Sequence, residues 1–78
     1  MPRFYFHVRD GADIRDEAGT ELPDIDAARN QAIASSAQMI GDLGRKFRLS
    51  EFWQMTVTDE NGRELFELTF AGKIKALP

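Results

Sequence analysis

Arg3-Phe4-Tyr5-Phe6-His7-Val8-Arg9-Asp10-Gly11-Ala12-Asp13-Ile14-Arg15-Asp16 is the stretch that decides the fold of this chain. Over residues 3–9 the apolar Phe4, Phe6 and Val8 alternate with Arg3, Tyr5, His7 and Arg9. That period of two places one side of a strand in a core and the other in water. Asp10-Gly11 supplies the positive φ angles of a tight two-residue hairpin turn, so residues 12–16 are expected to return as a second strand anchored by Ile14.

Outward from this hairpin, Glu17-Ala18-Gly19-Thr20 reads as a turn, and Glu21-Leu22 as a short extension that Pro23 ends. Asp24 can accept from the unpaired amides of a first helical turn, and Asp26 adds negative charge where the helix dipole favours it. Ile25, Ala28, Ala32, Ser36, Met39, Ile40 and Leu43 then recur at helical spacing, which predicts an amphipathic helix over 25–43 with Gly44 as its stop. Because the stripe is rich in small residues, the helix should lie close on a sheet.

Residues 47–51 read as a connection. From Phe52 the alternation resumes, with Trp53, Met55 and Val57 on one face and Phe52, Gln54, Thr56 and Thr58 on the other. Asp59-Glu60-Asn61-Gly62 is a turn, and residues 63–70 return with Phe66, Leu68 and Phe70 facing one way. The expected architecture is α+β: ββαββ, a four-stranded antiparallel sheet with one helix packed on one face. One domain spans 1–72, and 73–78 is a tail unless Ile74 and Leu77 find a partner surface. The expected core is Phe4, Phe6, Val8 and Ile14 with Trp53, Met55, Val57, Phe66, Leu68 and Phe70, under the helix stripe. The uncovered face would show Arg3, Tyr5, His7 and Arg9 beside Gln54, Thr56, Leu65, Glu67 and Thr69.

A chain of 78 residues buries only roughly 60–65% of its unfolded surface, so its core is thin. With no cysteine, it has no disulfide, thiolate metal site or thiol nucleophile to supplement packing, and self-association is the expected remedy. No apolar run approaches the roughly 20 residues of a membrane span or forms a leader, so a cytoplasmic domain without a membrane partner is expected. Net charge is −3, with carboxylates gathered in 10–26 and cations at Arg45, Lys46 and Arg48 and again at Lys73 and Lys75.

The opening Met1-Pro2-Arg3-Phe4-Tyr5-Phe6-His7, the Asp16-Glu17-x-Gly19-x-Glu21-Leu22-Pro23-Asp24 segment and the late Val57-Thr58-Asp59-Glu60-x-Gly62 resemble an uncharacterised family of short proteins of soil alphaproteobacteria. The resemblance spans nearly the whole chain except 44–52 and implies a domain of unknown function, with no activity attached. A fainter similarity runs to the HicB-type antitoxins, in which a hairpin leads through a Pro-Asp segment into an alanine-rich helix. The glycine-cysteine pair of that family is absent and no separate DNA-binding segment follows, so what the similarity implies is partner binding.

No residue pattern specifies catalysis, a cofactor or a metal. His7 is the sole histidine, and a serine-histidine-aspartate arrangement would need Ser35, Ser36 or Ser50 to approach it. The bland reading is a surface histidine; the functional one is a binding or pH-sensitive contact beside Tyr5. Asp10, Asp13, Asp16 and Glu17 lack the spacing of a calcium loop and read as solvated turn carboxylates. Gly41-x-x-Gly44-Arg45-Lys46 ends a helix, so it cannot cradle phosphate as a helix start does. The expected function is a small non-enzymatic protein-interaction or regulatory module. It would self-associate through an edge strand or through the open face, with Arg3, Tyr5, His7 and Arg9 as the partner-binding candidates. The alternative is weak nucleic-acid binding through the basic-aromatic segment 45–53, with Arg45, Lys46 and Arg48 as the cations and Phe47 and Trp53 as rings.

Overall fold

The computed structural model describes residues 1–49 and 51–76; Ser50 and the Leu77–Pro78 part of the expected tail lie outside the described residues. The chain is α+β in the order βββαββ: β1 (Arg3–Arg9), β2 (Asp13–Ile14), β3 (Thr20–Glu21), α1 (Ile25–Leu43), β4 (Phe52–Thr58) and β5 (Glu64–Ala71), with a 3₁₀ turn at Gly44–Lys46 after the helix. All pairings are antiparallel, and the strand order is β2-β1-β4-β5 with β3 also on β1.

The returning strand after the first hairpin is split in two. Val8 pairs with Ile14 and Arg9 with Asp13, whereas Arg3 pairs with Glu21 and Phe4 with Thr20. Both short pieces therefore lie along one side of β1, and residues 15–19 arch away between them. The Arg9–Asp13 pairing leaves three residues, Asp10-Gly11-Ala12, for the turn, which corrects the expected two. The Asp10 N–H donates to the Ala12 carbonyl at 3.0 Å.

Side chains directly opposite one another in antiparallel strands share a face. The β1–β4 and β4–β5 registers therefore put Phe4, Phe6 and Val8 with Trp53, Met55 and Val57, and with Phe66, Leu68 and Phe70. Met55 and Val57 are fully buried and Trp53 nearly so. Asp24 starts α1 by accepting from the Ala27 N–H at 2.8 Å, and the Gly44 N–H returns to the Ile40 carbonyl at its end. The helix touches the sheet along Ala28, Ala32 and Ser36, one side chain per turn, and the Ser36 hydroxyl donates to Met55 Sδ at 3.5 Å.

Several expected core residues sit further out. Ile25 is 50% and Met39 41% exposed. The covered stripe runs through Ala28, Ala32 and Ser36 and on to Ile40 and Leu43, which pack against the core; Ile25 and Met39, three residues from Ala28 and Ser36, lie at its flank. Ile14 is exposed because β2 is two residues long and flanks the helix's cover, and Phe70 is 44% exposed at the last row of an outer strand. Phe6, Phe66 and Leu68 are half-buried against the core. Leu65, expected on the open face, also packs there, because a register shift at Val57/Thr58 leaves it without a direct partner in β4.

Candidate interaction surfaces

The face away from the helix carries Arg3, Tyr5, His7 and Arg9 from β1, opposite Gln54, Thr56 and Thr58 from β4. The structure uses three of the four β1 candidates internally: Arg3 and His7 fasten the 15–19 arch to the sheet, and Arg9 closes the hairpin. Arg3 donates to the Ala18 carbonyl and to Glu21 Oε1, both at 3.0 Å. Arg9 reaches Asp13 Oδ1 at 2.8 Å, and its guanidinium holds that carboxyl below the ordinary carboxylate range. The Tyr5 and His7 rings lie parallel with centroids 6.3 Å apart.

Both His7 nitrogens are engaged. The Asp16 backbone N–H donates to Nδ1 at 3.1 Å, so Nδ1 keeps its lone pair and the ring proton is on Nε2, facing the buried Thr58 hydroxyl at 3.1 Å. The solvated surface histidine of the bland reading is thus a fixed bridge between the arch and β4. Ser36 lies on the helix side of the sheet and Ser35 accepts from Gln31, so neither meets His7.

Asp16 organises the arch from inside. Its Oδ2 accepts from the Phe6 N–H at 3.1 Å, and its Oδ1 accepts from the Ala18 and Gly19 N–H groups at 3.2 and 3.0 Å. Burial pushes the carboxyl up, but the N–H groups of Gly19, Phe6 and Ala18 more than offset this and leave it below its ordinary value. Gly19 has φ +72°, and a Cβ there would stand 2.8 Å from both Arg3 Cγ and Tyr5 Cε2, so only glycine closes this arch unstrained. Asp16 is therefore a structural residue, not the solvated turn carboxylate its place in the acidic run suggests. Its signal was an aspartate two and three residues before the amides it caps, the pattern of an Asx turn.

A depression of about 340 Å³ crosses the open face, with Arg9 and Arg15 on one rim, Glu64 and Glu67 on the other, and His7 and Thr56 among its lining. Among the described residues, no three histidine, aspartate or glutamate side chains converge as metal ligands would.

The two edges of the sheet differ sharply. On the β1 side, two-residue strands and the arch cover the backbone, and Asp16 fills the Phe6 N–H between them. On the other side, β5 runs eight residues with β4 along one flank and, among the described residues, no strand along the other. Its sequence, Glu64-Leu65-Phe66-Glu67-Leu68-Thr69-Phe70-Ala71, contains no lysine or proline, and its irregularity is confined to the end near Glu64. The devices that keep exposed edges from pairing are thus present on one edge and scarce on the other.

Arg45 and Lys46 sit in the 3₁₀ turn after α1, and Arg48 faces Glu51 at 3.6 Å. Of the aromatic residues nearby, Trp53 is 2% exposed in the core, and Phe47 packs edge-on against Phe70 with centroids 5.1 Å apart.

These features define an α+β domain with one protected and one bare sheet edge. A model of a domain of unknown function (DUF6894) matches residues 3–71, and the chain belongs to that family. No curated protein and no solved structure matches the chain significantly. Among the described residues, no helix is long and apolar enough to cross a membrane.

Proposed function

We propose that this domain is a non-enzymatic interaction module that pairs with a second copy of itself through β5. The bare β5 edge carries the reading: eight residues of backbone with outward N–H and C=O groups, opposite an edge that the same chain covers with care. Antiparallel β5–β5′ pairing about a two-fold axis perpendicular to the sheet makes one continuous eight-stranded path and keeps both helices on one face. The half-buried Phe66 and Leu68 and the exposed Phe70 of the two copies then adjoin, which extends the thin core. Partner binding is also what the likeness to HicB-type antitoxins implies.

The pattern of β5 selects a register. Centring the axis on Leu68 sets Phe66 against Phe70′ on the helix side and Glu67 against Thr69′ on the open side. Centring it on Glu67 would oppose two like charges and set Glu64 against Phe70′. This yields a charge test at an exposed position. Thr69→Glu places two Glu–Glu pairs across the axis, and Thr69→Lys places two Lys–Glu pairs. At up to about 1 kcal/mol per cross-strand pair, the glutamate variant should weaken the dimer roughly tenfold and the lysine variant should not. Light scattering after size exclusion across a concentration series measures this. A monomer at every concentration, or equal dimerisation of both variants, rules the proposal out.

A further inference from the structure

The charge of the chain is divided. Residues 45–52 and 70–76 hold Arg45, Lys46, Arg48, Lys73 and Lys75 against one carboxylate, Glu51, a local charge of +4. The other five cations and twelve carboxylates leave −7 elsewhere, which makes up the net −3. The fold brings these two segments together: Phe47 packs on Phe70, Phe52 pairs with Ala71, and a Cβ on Gly72 would stand 2.8 Å from Leu49 Cδ2. At this same end Leu49, Phe52, Phe70 and Ile74 are 55%, 47%, 44% and 51% exposed. On the Phe52 side the patch is bounded by the Asp10–Asp13 hairpin, whose Asp13 is already closed by Arg9.

We propose that this end of the domain docks on an anionic lipid surface. Leu49, Phe52 and Ile74 enter the boundary between headgroups and acyl chains while the surrounding cations, a net +4 after Glu51, meet anionic headgroups. Each contribution is weak alone, and peripheral attachment takes such a pair of signals. No membrane-spanning helix is needed. The side chains favour lipid over single-stranded nucleic acid, which is held by exposed rings that stack on bases. Here Trp53 is in the core and Phe47 is occupied by Phe70; Phe52 keeps an exposed ring, but the equally exposed Leu49 and Ile74 are aliphatic and gain from hydrocarbon rather than from a base.

Vesicle sedimentation tests this with the intact chain, using phosphatidylcholine alone and phosphatidylcholine mixed with phosphatidylserine, and a single-stranded oligonucleotide as a parallel ligand. Binding is expected to the mixed vesicles alone. It should fall on the order of a hundredfold in the Arg45→Gln/Lys46→Gln/Arg48→Gln variant, roughly fivefold per cation. It should fall also in Leu49→Ser/Ile74→Ser, and stay unchanged in Arg29→Gln/Arg63→Gln, which removes charge elsewhere. All these positions are exposed, and a circular dichroism spectrum matching the parent confirms that each variant is folded. No binding to mixed vesicles at low salt, an equal loss in Arg29→Gln/Arg63→Gln, no effect of Leu49→Ser/Ile74→Ser, or preference for the oligonucleotide would overturn the proposal.

Discussion

Trp53→Ala is expected to lower the unfolding free energy by about 3–5 kcal/mol, the usual effect of deleting a large buried aromatic side chain. A domain of this length has roughly 4–12 kcal/mol in all, at 0.05–0.15 kcal/mol per residue. The ring is 2% exposed on the central strand β4, opposite Phe70, and the side chains that could collapse into the gap are few. Ala28, Ala32 and Ser36 are too short to follow, so much of the cavity persists. Urea denaturation should show the midpoint falling with little change in slope. Trp53→Phe keeps most of the volume and should recover most of the loss. If Trp53→Ala left the midpoint in place, the ring would not be the centre of the core, and its availability as a stacking platform would reopen.

The second large effect is expected at Asp16. Replacing it by alanine removes the acceptor of the Phe6, Ala18 and Gly19 N–H groups together, which should cost about 2–3 kcal/mol at about 1 kcal/mol for each bond lost. The pH dependence follows from its lowered pKa. A carboxyl that ionises more readily in the folded state contributes stability that is fully present above its unfolded pKa, about 3.9, and is lost as pH falls through the lower folded value. The parent should therefore lose this contribution only in that acid range, whereas Asp16→Ala should lack it at every pH. Asp16→Asn keeps an acceptor for part of the arch and should fall between the two, which separates hydrogen bonding from charge. Opening the arch would also bare the Phe6 N–H on the protected edge, so Asp16→Ala should form species larger than dimers. Equal acid unfolding of parent and variant would show that Asp16 does not hold the arch.

β1, β4, β5 and the helix were legible because each carries an uninterrupted period: Phe4-Phe6-Val8, Trp53-Met55-Val57, Phe66-Leu68-Phe70 and the Ala28-Ala32-Ser36 ridge. Asp24 and Gly44 marked the helix ends through the amides they serve. The split of the second strand was not legible, because residues 12–22 contain few apolar side chains to set a register. The pairing there is decided by Asp16 and by Arg3 and Arg9, which act across space. The exposure of Ile25, Met39 and Phe70 depends on which flank of the helical stripe and which end of β5 the packing covers, and periodicity does not encode that. The open-face candidates were placed on the correct face, but His7 turned out to be committed to Asp16 and Thr58, and Arg3 and Arg9 to the arch and the hairpin. The bare edge at β5 follows from strand order, which a single sequence without pairing information leaves open.

Amide hydrogen exchange along β5, followed across protein concentration, tests the self-pairing reading most directly. Alternate amides between Glu64 and Ala71 point away from β4, and they should exchange fast in dilute protein and become protected in step with dimer mass, while protection in β1 and β3 stays constant. Outward β5 amides that exchange at the unprotected rate where the protein is fully dimeric would contradict the account and place the contact elsewhere on the domain.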